Sequence, residues 1–255
     1  MLTALHGAKW FAILVAFAAF GLAAAPARAD SMELEVYRSD LTDKGETNVD
    51  FAANLARSPL QGDGNGRSVF QAVGEFSYGL SDNLQLGLKL PLAYTNAAWY
   101  GTGLLTELKY VAPHEGGGLY WGVEFEAGYL APLGEARQWA LEATPIVGYR
   151  ANGWELVANP GLSIASAGDQ RGVVAFEPSG KVAYQVAKQC ALGVEYFSEA
   201  GALRSMLAGG KRNEIAFLTV DTKIGKSTVN LGIGHGTNDA SPGFVAKLVV
   251  DLEFD

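Results

Sequence analysis

Lys89, Glu107, Lys109, Glu124 and Glu126 stand at alternate positions of three successive segments, with aliphatic or aromatic residues between them. Glu75, Glu142, Glu177, Lys181, Glu195, Asp221 and Lys223 repeat the arrangement in neighbouring segments. Carboxylates and ammonium groups spaced this way can line water, bias the passage of ions or pair with one another. They do not by themselves break covalent bonds. A hydrolase needs a nucleophile with a base beside it, and beyond the first 29 residues the only imidazoles are His114 and His235, both in or beside predicted connectors. His235-Gly236-Thr237-Asn238 offers no serine partner, so no catalytic residue is assigned and no enzyme is expected. Gly62-Asp63-Gly64-Asn65-Gly66 is similar to a calcium loop, yet Arg67 stands where a ligand should follow and no glutamate closes the motif. Neither a metal site nor a cofactor follows from the residues.

The charged positions belong to elements of period two. Leu84, Leu86, Leu88, Leu90 and Leu92 share one face of a segment whose other face holds Gln85, Gly87, Lys89 and Pro91. No helix sorts residues this way. Trp121 to Tyr129 and Phe244 to Phe254 alternate as clearly. Weaker copies run over 46–58, 67–80, 100–112, 137–150, 154–166, 172–187, 190–200, 212–225 and 227–236, making twelve strands in all. Long links near 58–67, 94–101, 131–137, 166–172, 200–211 and 236–243 alternate with short ones such as Ser81-Asp82-Asn83, Asn152-Gly153 and Gly225-Lys226. Outer-membrane barrels place short turns at the periplasm and longer loops outside, and Asn-Gly is a strong two-residue hairpin signal.

Lys9 precedes an apolar run from Trp10 to Ala25, followed by Pro26-Ala27-Arg28-Ala29, so residues 1–29 read as a cleaved secretory signal peptide. After Ala29 no uninterrupted apolar stretch is long enough to cross hydrocarbon as a helix. Any later crossing must use strands. Without Lys9 and Arg28, 17 basic residues face 27 acidic ones, a formal charge of −10 that makes nucleic acid an improbable partner. Cys190 is the only cysteine, which excludes an intrachain disulfide.

Alternation alone does not separate a membrane barrel from a soluble one. The aromatics do. Tyr78, Tyr110, Trp121, Tyr149, Trp154, Tyr184 and Phe254 fall near predicted periplasmic ends of the apolar face, and Tyr94, Tyr129, Trp139 and Tyr196 near extracellular ends, with Leu, Val and Ala between. Two aromatic rings flanking an aliphatic band are selected by headgroup boundaries. The expected fold is therefore all-β: a transmembrane, antiparallel, up-and-down barrel over 46–255, preceded by a periplasmic or barrel-plugging extension at 30–45. Lys or Arg facing lipid at mid-depth costs about 2 to 4 kcal/mol, so the charged face must line the lumen. Twelve strands leave a lumen of about 10 Å.

Hairpin registers centred on Asn152-Gly153 and Asp169 set Pro145 opposite Pro160 and Pro160 opposite Pro178. Proline donates no ladder hydrogen bond, so this row predicts a lateral gap or a row of bulges in the wall.

Tyr78-Gly79-Leu80-Ser81-Asp82-Asn83-Leu84-Gln85-Leu86-Gly87-Leu88-Lys89-Leu90-Pro91 resembles the outer-membrane barrels grouped under the MetA pathway of phenol degradation, with the likeness strongest over 67–112. That resemblance implies a transporter, in some members linked to aromatic compounds. The expectation is passive passage of small, aromatic or weakly polar solutes through an acidic, mixed-charge lumen in a Gram-negative outer membrane. The alternative is a non-conducting structural or surface-interaction barrel. Expected partners are the solute, the outer-membrane assembly machinery, and membrane lipids with lipopolysaccharide, whose phosphates would suit Arg204, Lys211 and Arg212 in the 200–211 link.

Overall fold

The computed structural model describes residues 34–57, 68–95, 98–131, 137–167 and 171–253. The expected signal peptide, the Gly62–Gly66 loop, Phe254 and Asp255 lie outside these residues. Period-two alternation gives β1 (Thr47–Arg57), β2 (Ser68–Ser81), β3 (Leu84–Thr95), β4 (Ala98–Gly101), β5 (Gly103–Val111), β6 (Gly118–Leu130) and β7 (Gln138–Ala151). It continues through β8 (Trp154–Ala165), β9 (Val174–Ala187), β10 (Cys190–Glu199), β11 (Asn213–Ile224), β12 (Ser227–Gly236) and β13 (Phe244–Glu253). β4 and β5 both pair with β3 and form one stave interrupted at Thr102, so the wall has twelve staves. Each is antiparallel to its neighbours, and β1 pairs with both β2 and β13, which closes the ring and removes every edge.

The burial pattern is inverted relative to a soluble protein. Lys89 is 0% exposed while its neighbour Leu90 is 53% exposed. Leu86, Leu88, Leu92, Phe125, Leu141, Val194, Leu218 and Ile233 are also exposed, and the girdle aromatics Trp121, Trp139, Trp154 and Tyr184 stand on the same outer face. Apolar groups left outward with charge buried inward require a lipid surround.

The turns follow local chemistry. Asn152 and Gly153 both take positive φ, at 52° and 81°, which is the two-residue hairpin turn their sequence favours. One link departs from expectation. Residues 94–101 are not a long loop, because β3 continues to Thr95 and β4 starts at Ala98. Trp99 packs on Tyr94 and Phe70 there, with ring centroids 5.1 and 5.8 Å apart, and this cross-strand aromatic cluster extends the hairpin beyond its aliphatic pattern.

The prolines sit at ladder interruptions. β7 and β8 pair at Ala143–Leu162 and again at Val147–Ala158, with nothing paired at the three positions between. Those positions include Pro145 facing Pro160, neither of which has an N–H to donate to the ladder. β8 and β9 pair without a break through Pro160–Pro178. Pro178 instead marks the point where β9 stops pairing with β10, after Ser179–Phe197.

Candidate functional site

Among the described residues, inward-facing side chains meet in three ionic clusters. In the first, Lys89 Nζ lies 3.1 Å from Glu107, 3.5 Å from Glu124 and 3.8 Å from Glu75, and also pairs with Glu126. The register explains the convergence, since Glu75 is the cross-strand partner of Lys89 and Glu107 that of Glu126. Glu107, Glu124 and Glu126 bring carboxylate oxygens within 4.8 Å of one another, a spacing that would suit a cation. The Lys89 ammonium is the cation that meets all three. In the second cluster Lys181 contacts Asp221 at 2.7 Å and Glu195 at 2.9 Å, and Lys247 pairs with Glu195. Asn230 donates to Asp221 and Glu195 at 2.9 and 3.1 Å. In the third, Arg150 meets Glu155 at 2.6 Å, and the Tyr120 hydroxyl donates to the same carboxylate at 3.3 Å. Gly148 makes room for that tyrosine: a Cβ there would lie 2.0 Å from its ring.

Residues 34–46 run inside the barrel and touch every cluster. Lys247 donates to Leu34 O at 2.8 Å, Lys89 to the Tyr37 hydroxyl at 3.2 Å, Asn159 to Tyr37 O at 3.0 Å and Arg150 to Ser39 Oγ at 2.8 Å. Arg38 reaches Glu155 at 3.6 Å. Leu34 and Val36 join an apolar cluster that gathers Ile146 and Val157 from one side of the barrel with Phe197, Phe217 and Val245 from the other. Below this cluster a cavity of about 730 Å³ extends to the rim formed by the short turns. Its lining includes Asp50, Glu107, Lys109, Lys181, Asp221 and Asp251. Asp251, Asp50 and Glu75 are direct cross-strand neighbours, a like-charge row that costs stability. Asn48 is wedged against it, donating to Asp50 at 3.2 Å and Asp251 at 2.6 Å.

All twelve charged residues singled out in sequence lie on strands, at inward positions of the alternation. Glu75, Lys89, Glu107, Glu124, Lys181 and Glu195 are buried; Lys109, Glu126, Glu142, Glu177 and Asp221 are half-buried; Lys223 is exposed at the short-turn rim. They fall into separate clusters, with Glu142 and Glu177 held by the hydroxyls of Thr144 at 2.8 Å and Ser163 at 2.7 Å. Sequence reasoning missed Asp50 and Arg150, although both share parity with inward neighbours. It also missed Tyr37 and Arg38, which lie outside the twelve strands it assigned. His114 Nδ1 lies 3.3 Å from Glu115 O and His235 Nδ1 2.5 Å from Gly236 O.

No family model matches this chain, and no curated protein is similar to it in sequence. Among solved structures, the KdgM porin superposes with a TM-score of 0.56 at 8% identity, covering 82% of this chain and 99% of the porin. The same porin in complex with disordered oligogalacturonate gives 0.55 at 9% identity over 82% and 99%. The fold is that of a porin-like outer-membrane barrel. At this identity the likeness extends to architecture alone.

Proposed function

We propose that this barrel is a passive outer-membrane channel for small molecules in a Gram-negative bacterium. On this reading residues 1–29 direct export, the outer-membrane assembly machinery inserts the barrel, and lipids with lipopolysaccharide surround it. The observation that carries the proposal is the cavity of about 730 Å³, whose walls hold both charge signs with carboxylates in excess. Rings of carboxylates favour cations. On this reading Glu75, Glu107, Lys109, Lys181, Glu195, Asp221 and Lys223, which border the cavity, set this preference together with Lys89, Glu124, Glu126, Glu142 and Glu177, which face the lumen beyond it. Aromatic or weakly polar solutes are the class implied by the phenol-degradation resemblance. For such a solute the wall between Pro145 and Pro160, with Pro178 one stave further, is a second way out into lipid. The unpaired stretch between β7 and β8 supports that exit.

Planar-bilayer recording tests the channel reading. Cation-selective steps are expected, with selectivity reduced in Glu124→Gln and Glu126→Gln. A folded barrel that carries no current both as the native chain and with residues 34–42 deleted overturns it. The apolar cluster around Leu34 and Val36 favours the competing reading, a closed structural barrel, and that silent result is what it predicts.

A further inference from the structure

We propose that residues 34–46 are a self-blocking strap, fixed to the wall at one end and detachable at the other, whose withdrawal opens the lumen. The inference rests on the channel reading above.

The fixed end is built into the sheet. Lys44 forms a parallel bridge with Gly79, Gly45 N–H donates to Gly79 O at 2.8 Å, and Gly79 N–H donates to Glu46 O at 3.1 Å. Position 79 tolerates only glycine against the strap, because a Cβ there would stand 2.2 Å from Asp43 O and 2.5 Å from Thr42 O. Gly45 turns the chain from strap to β1 with φ +82°, the left-handed conformation that glycine adopts without strain.

The other end is held differently. Above Lys44 the strap joins no ladder, and the wall grips it through side chains: Lys89, Arg150, Asn159 and Lys247 donate to its oxygens. Segments with few backbone bonds occupy the low end of local stability. Leu34 and Val36, 5% and 4% exposed, are the buried apolar anchors of the strap among the described residues, and Tyr37 packs against the same cluster. A strand of the wall has two neighbours and cannot leave alone, whereas this segment can be lost while all twelve staves stay paired. Salt screens such buried polar contacts little, so breaking the apolar seat is the direct way to release the strap.

The test uses the full-length chain in planar bilayers, with folding checked by heat-modifiable migration. Leu34→Asp with Val36→Asp places charge in the apolar seat, and Gly79→Val separately pushes the strap base from the wall. Native protein is expected to open rarely, and each variant to raise the open fraction by on the order of tenfold or more, a shift of about 1.4 kcal/mol. In a Cys190→Ser background, Val36→Cys should react with a membrane-impermeant maleimide slowly, and faster once Leu34→Asp is added. Native and variant barrels conducting equally would overturn the strap while leaving the channel standing. Native and variant barrels that are all silent would remove both. Val36→Cys reacting at the rate of an unfolded peptide in the otherwise native strap would also overturn it.

Discussion

Replacing Lys89 by methionine keeps most of the side-chain volume and removes one ammonium from the midst of four carboxylates. At an effective dielectric near 20, its contacts at 3.1, 3.5 and 3.8 Å correspond to gross attractions of about 5, 5 and 4 kcal/mol. Desolvation of the ammonium offsets several kcal/mol of this. The variant can also relax by protonating one carboxylate, which at pH 7 costs about 3.7 kcal/mol from a reference glutamate value near 4.3. The expected loss of stability is therefore about 3 to 4 kcal/mol at pH 7, within the usual range for removing one partner of a buried pair. Because folding of the variant then takes up a proton, its deficit should shrink by about 1.4 kcal/mol per pH unit down to roughly pH 5. Adding Glu124→Gln should recover much of the loss. Urea unfolding in lysolipid micelles, followed by tryptophan fluorescence, measures all three variants. A deficit under about 1 kcal/mol that does not vary with pH would mean that lumen water solvates these carboxylates, and the argument for a dry, paired cluster would fail.

Leu90→Arg, at a position 53% exposed on the outer face, should cost about 2 to 4 kcal/mol in a bilayer, whereas a water-facing site would lose almost nothing. Gly148→Ala drives a methyl into the Tyr120 ring and should destabilise by about 1 to 3 kcal/mol, with Tyr120→Ala restoring part of the loss if the clash is the cause. Pro160→Ala supplies an N–H across from Pro145 and should add about 0.5 to 1.5 kcal/mol. Hydrogen exchange should then show a protected amide at residue 160, and an unprotected one would mean that the two strands are held apart by more than missing donors.

Period-two alternation was enough to set most strand positions and the closed all-β architecture, because a side chain on a strand has only two directions, and the aromatic girdles decided which face looks outward. The ends of β1, β7, β8, β10 and β12 follow the sequence pattern to within a residue or two, and hairpin turns fixed the register that sets Pro145 opposite Pro160. The same parity, applied to every charge, would have included Asp50 and Arg150. Alternation names a face but not a partner. That Lys89 gathers carboxylates from β2, β5 and β6, while Lys181 and Lys247 share Glu195, depends on strand tilt and on distances across the lumen, which no local pattern encodes. For residues 30–45 the sequence left two paths open, periplasmic or barrel-plugging. Met32 to Tyr37 alternates in sequence like a strand, yet residues 34–43 join no ladder and run through the interior, because the wall is already closed by β1 against β13.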